Sequence, residues 1–154
     1  MRVSVVFVGK TSPSWLVEGV EEYAKRMVRF MDLSFQVVNP SGNQPPAQSV
    51  EKEGQAILSK ITPKDKVILL DEHGKKYTSV QLSAFIDKMN VSGVSSLVFV
   101  TGGPYGLSQA VRDRADYEMS FSDFTFTHQM IRLLLLEQLY RAMTISNRIP
   151  YHNE

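Results

Sequence analysis

The sequence predicts an α/β fold: a mostly parallel sheet with helices on both faces. Three observations carry this. Short β-branched apolar runs alternate with segments whose apolar residues recur at helical spacing. Strands alternating with helices imply a mostly parallel sheet covered on both faces, and 3–8 and 97–100 are apolar runs of the kind such sheets bury. The 154 residues, 43% hydrophobic and 21% charged, have ordinary globular composition and the length of one domain spanning 1–154.

Residues 3–8 form a β-branched run ending at Gly9 and read as a buried first strand. Ser12 and Pro13 read as an N-cap followed by proline at the first helical position. Leu16, Val20, Tyr23 and Met27 recur at helical spacing and carry that helix to about Phe30. Residues 33–38 are a second strand, and 40–46 a loop rich in Gly, Asn and Pro. A helix over 49–61 turns Val50, Ile57, Leu58 and Ile61 inward. A third strand over 66–70 is closed by a tight turn at Asp71-Glu-His-Gly74. Thr78 and Gln81 have the spacing of a capping box, and Leu82, Phe85, Ile86 and Met89 supply the next helix with its apolar face. Residues 97–100 are a strand, 107–114 a short helix, 117–120 a last short strand, and 129–145 the final helix.

That final helix is apolar around nearly its whole circumference, from Met130 through Leu133-Leu-Leu-Leu136 to Ile145. A helix covering its own sheet needs one apolar face only, so a homodimer built on this helix is expected.

Several classes are excluded. The chain has no cysteine, which removes disulfides and thiolate chemistry, and His73, His128 and His152 lack ligand spacing, so no metal is expected. Residues 90–111 are uncharged but hold Gly102, Gly103, Pro104 and Gly106, which a bilayer helix would not combine. Arg132, Glu137 and Arg141 interrupt the leucine-rich segment. The N-terminal apolar run has no small-residue cleavage site after it and reads as a strand, so a cytoplasmic protein without membrane association is expected. A net charge of +1 provides no global attraction to nucleic acid.

Gly102-Gly-Pro-Tyr-Gly106 joins a strand to a helix but is not a dinucleotide fingerprint, in spacing or in place along the chain. It is either a tight turn or a point of close backbone approach to a ligand at the carboxyl end of the sheet. Residues 70–74, 101–106 and 121–127 are the carboxyl-end loops expected to converge there, each well supplied with glycine, hydroxyl or aromatic residues.

These loops carry a recognisable set of motifs. Leu70-Asp-Glu-x-Gly74, Phe99-Val-x-Gly-Gly-x-x-Gly106, Ser120-x-Ser-x-x-Thr-x-x-His-Gln129, Glu137-Gln-x-Tyr-Arg-Ala142 and the terminal Pro150-Tyr-His152, with Lys52-Glu-Gly54, span the chain in order. Together they resemble the SPOUT-class RNA methyltransferases, and within them the family of ribosomal RNA large subunit methyltransferase H, which methylates a pseudouridine in helix 69 of 23S ribosomal RNA. The resemblance implies a C-terminal trefoil knot, which general fold rules would not suggest. It implies S-adenosylmethionine as cofactor, held largely by main-chain groups at Leu70, Gly102 and the loop Phe121, Ser122, Asp123, Phe124, Thr125 and Phe126.

It further implies methyl transfer to N3 of pseudouridine, with 23S ribosomal RNA in the ribosome as partner and His152, Tyr151 and His128 as catalytic candidates. His152 is either a base or a grip on the nucleotide. His128, at the start of the final helix, reads first as a structural cap. Arg132 and Arg141 are candidate substrate contacts, although Glu137 and Arg141 also have the i,i+4 spacing of a helix salt bridge. Three positions depart from the family pattern: His73 where arginine is common, Thr127 where proline precedes the histidine, and Asn153 where a basic residue is common.

Overall fold

The computed structural model describes residues 1–153. Its strands are β1 (Arg2–Val8), β2 (Asp32–Val38), β3 (Lys66–Lys76), β4 (Ser96–Thr101) and β5 (Tyr117–Ser120). Its helices are α1 (Ser14–Met27), α2 (Pro46–Leu58), α3 (Ser79–Val91), α4 (Gln109–Arg114) and α5 (Met130–Ser146). The five strands pair in the order β2-β1-β4-β3-β5, all parallel. Every strand therefore ends at the same edge, and the loops that follow β3, β4 and β5 share it.

The two-residue period of a strand divides the core. Val3, Val5 and Phe7 of β1 point to one face with Ile68, Leu97 and Phe99, where Val20, Leu82, Ile86, Leu135, Leu136 and Leu139 of α1, α3 and α5 cover them. Val6 and Val8 point to the other with Val67, Leu69, Val98 and Val100, under Ile57 of α2 and Val111 of α4. Both faces of β1 and β4 are covered, so these strands read as continuous apolar runs, whereas the edge strand β2 is largely exposed.

Five expectations change in detail. Pro13 occupies the cap position of α1 rather than its first turn, and α1 ends at Met27. Helix α2 starts three residues early, at Pro46, because Pro45-Pro46 pre-sets the first turn. Its buried face is Ser49, Glu53, Gly54 and Ile57 rather than a purely apolar stripe. Strand β3 does not stop at Leu70: it passes through an irregularity between Leu70 and Lys75 and pairs again with Met119 and Ser120 of β5. Gly74 makes that return possible, since a Cβ there would lie 2.5 Å from the Met119 backbone N. The capping box forms as read: Thr78 Oγ1 accepts from the Gln81 N–H and Gln81 Oε1 from the Thr78 N–H.

Helix α5 buries much of its circumference within its own chain, between α1, α3 and the sheet. The approach to α1 is close, because Gly19 leaves no side chain against Leu133. Ser83 Oγ of α3 donates to the Ala142 carbonyl at 2.9 Å. Met130, Ile131, Leu133, Leu134 and Ile145 stay only half-buried.

Candidate active site

The end of β3, the loop after β4 and the loop after β5 enclose one cleft of about 680 Å³. Leu70 to His73, Gly102 to Leu107, and Met119 to Ser122 with Phe124 to His128 line it. The three loops singled out in the sequence thus converge.

Each loop is shaped locally. A Cβ on Gly102 would come within 3.0 Å of the Gly106 carbonyl carbon and oxygen, so any side chain here presses on the turn's own backbone. Gly106 has φ +86°, a left-handed conformation that favours glycine, and its N–H donates to the Gly103 carbonyl. In the loop after β5, Ser120 Oγ donates to the Ser122 carbonyl and Ser122 Oγ accepts from the Phe124 N–H. These bonds hold Phe124 outward, 80% exposed at the mouth, while Phe121 packs inward against the core. Of the cofactor-loop residues expected to line the site, Asp123 alone does not: it turns away and pairs with Lys76. Thr127 Oγ1 accepts from the Met130 N–H at the start of α5.

The cleft carries charge the sequence reading did not assign. Arg112 donates to Asp71 at 3.0 Å and lies 3.6 Å from Glu118. Burial pushes the Asp71 carboxyl up, but the bonds from Arg112 and the His73 N–H outweigh it and hold it below the usual range. Arg112 has no sequence signal, because its partners stand on β3 and β5. His128 lines the cleft, with a pKa lowered chiefly by burial and secondarily by the Arg132 charge, so its ring is neutral at neutral pH.

The two candidate substrate arginines have internal partners, and only Arg132 is shut away from solvent. Arg132 is fully buried and aims its guanidinium at the chain itself: Val8 O at 2.7 Å, Gly9 O at 2.9 Å, Thr11 Oγ1 at 3.0 Å and His128 O at 3.3 Å. It ties the end of β1 to the start of α5 and has no access to a ligand. Arg141 makes the i,i+4 bridge to Glu137 and donates to His152 Nδ1 at 3.2 Å.

Tyr151 and His152 do not line their own chain's cleft. The tail is held against α1 and α5: Tyr151 Oη donates to Glu137 at 3.1 Å and lies 3.1 Å from Tyr23 Oη, with its ring edge-on to Tyr140. A guanidinium only donates, so His152 Nδ1 accepts from Arg141.

Residues 1–152 match the family model described as "Predicted SPOUT methyltransferase". The chain belongs to the SPOUT methyltransferase family. Among its curated relatives is a protein named ribosomal RNA large subunit methyltransferase H from Parabacteroides distasonis, 43% identical over the full length of both chains. Proteins of the same name from Bacteroides fragilis, 42% identical over the full length of both, and Trichlorobacter lovleyi, 39% identical over 99% of this chain and all of that one, are similarly close. The SPOUT fold is the α/β sheet described above with a C-terminal trefoil knot. The cleft lies at the carboxyl edge of β3, β4 and β5.

Proposed function

We propose that the chain transfers the methyl group of S-adenosylmethionine to N3 of a pseudouridine in helix 69 of 23S ribosomal RNA, as a cytoplasmic homodimer. The observation that carries this reading is the convergence of the three motif-bearing loops on one cleft, in a chain 39–43% identical end to end to proteins named for large-subunit ribosomal RNA methylation.

The cleft suits the cofactor. Its volume of about 680 Å³ lies within the range of small-molecule sites. Its walls offer main-chain groups from Gly102 to Gly106, with Leu70, Phe121, Phe124 and Phe126 available to pack the faces of an adenine. When bound, S-adenosylmethionine supplies a methyl group already activated by a sulfonium. The chain's task is then alignment of that group with the ring nitrogen and removal of the N3 proton as the new N–C bond forms. Neutral His128, inside the cleft, has the protonation state of an acceptor. His152, whose Nδ1 accepts from Arg141, is the second candidate, as a base or as a grip on the nucleotide.

The dimer reading draws on two features. Half-buried Met130, Ile131, Leu133, Leu134 and Ile145 remain along α5, and Trp15 of α1 is 58% exposed. The tail that bears His152 lies outside its own cleft, which a partner's cleft receiving it would explain.

Incubation with labelled S-adenosylmethionine and ribosomes lacking the modification is expected to label 23S ribosomal RNA at one pseudouridine. Label confined to transfer RNA overturns the substrate assignment, and cofactor binding without transfer overturns the activity. A monomeric mass at micromolar concentration overturns the dimer.

A further inference from the structure

Behind the loop after β4, outside the cleft, stands a buried carboxylate. Glu53 of α2 is only 6% exposed. Its Oε2 accepts from both the N–H and the Oγ of Ser41, each at 3.3 Å, which fixes the side chain against the 39–45 loop. Its Oε1 points the other way, at the cofactor loop: a Cβ built on Gly103 would lie 3.1 Å from it and 3.4 Å from Val8 Cγ1. The next residue repeats the contact, since a Cβ on Gly54 would collide with the Ser108 side chain, the cap of α4. Helix α2 thus meets both ends of the segment 103–108 without intervening space.

A carboxylate buried this deeply, with Ser41 its hydrogen-bond partner and no cation bonded to it among the described residues, is an unusual choice for packing alone. Its negative charge also reaches His128 across the cleft wall, opposing in part the burial that lowers that ring's pKa. We propose that Glu53 is a positioning residue for the cofactor: braced by Ser41, it holds Gly103 and so sets the loop 102–106 that walls the cleft. The proposal rests on S-adenosylmethionine being the ligand of that cleft.

The test is a double-mutant cycle read by calorimetric titration of S-adenosylmethionine into the full-length protein, with thermal midpoints recorded in parallel. Glu53→Ala removes the brace and Gly103→Ala presses a methyl onto it, and each is expected to weaken binding about tenfold. In the double variant the methyl occupies the space the carboxylate left, so binding recovers to within about threefold of wild type rather than falling about a hundredfold. Glu53→Gln keeps the shape and the acceptor for Ser41, and is expected to bind within about twofold of wild type. Additive losses, unchanged affinity alongside a lowered thermal midpoint, or a glutamine variant as weak as alanine would each overturn the brace. Wild-type protein that binds no S-adenosylmethionine would instead overturn the proposed function.

Discussion

Arg132 decides between two readings of one residue, a substrate contact and an internal tie, and the two differ in what they do to stability. Arg132→Met keeps the length and apolar stem of the side chain but removes every donor. The Val8, Gly9 and His128 carbonyls then lose their partner, and Thr11 Oγ1 its own. The guanidinium also sits 4.5 Å over the Phe7 ring, a contact methionine keeps only in part. Leaving buried acceptors unpaired costs about 1–3 kcal/mol each, most for the Val8 carbonyl, and two such losses amount to about 4 kcal/mol. Against this stands relief from burying a cation, a burden visible in the Arg132 pKa, pushed down to about 10 by burial. Taking about 1 kcal/mol for that relief leaves a net loss of about 3 kcal/mol, or a fall of about 9 °C in thermal midpoint for a chain of this length. Differential scanning calorimetry reads it directly. A midpoint within about 2 °C of wild type, with a raised KM for the ribosome, would refute the internal tie and restore Arg132 to the substrate side.

Three further outcomes are expected. Gly102→Ala places a methyl 3.0 Å from the Gly106 backbone, and the resulting displacement of the loop weakens S-adenosylmethionine binding about tenfold by equilibrium dialysis. Gly74→Ala sets a Cβ 2.5 Å from the Met119 N and 2.7 Å from the Glu118 carbon, forcing β5 off β3; urea unfolding should show a loss of about 3 kcal/mol. For His128, the folded pKa lies below the ordinary imidazole value of 6.5, so the unfolded chain binds the proton more readily. Its contribution to stability is intact above about pH 6.5 and declines as pH falls toward the folded pKa. The stability difference between wild type and His128→Gln should therefore shrink on acidification, and a His128 NMR titration midpoint above 6.5 would contradict it.

The elements were legible because their signals are local. A β-branched run such as Val3-Ser-Val-Val-Phe-Val8, the Thr78–Gln81 capping box and the turn at Gly102 to Gly106 each depend on neighbours within a few residues. The family motifs also picked out the three loops that meet in the cleft. What misled was equally local. A glycine after charged residues at 71–74 looks like a turn. It marks instead the close passage of β3 against β5, whose backbone lies more than forty residues away in sequence. The lone proline after Ser12 looks like a first-turn residue, and the polar face of α2 had no periodicity to announce it.

By itself, then, the sequence determined the α/β class, the order of strands and helices, and the candidate cofactor loops, since periodicity, turn chemistry and ordered motifs are properties of contiguous residues. The tertiary structure alone decided what the charged side chains do. Arg132 and Arg141 look alike as basic residues on one apolar helix, yet one is buried against three carbonyls and the other bridges Glu137 to the tail. Asp71 finds Arg112 forty-one positions on, and Glu53 finds Ser41 and the flank of Gly103. A charge acquires its role from the partners and the burial that folding gives it, and both are set by contacts between distant parts of the chain.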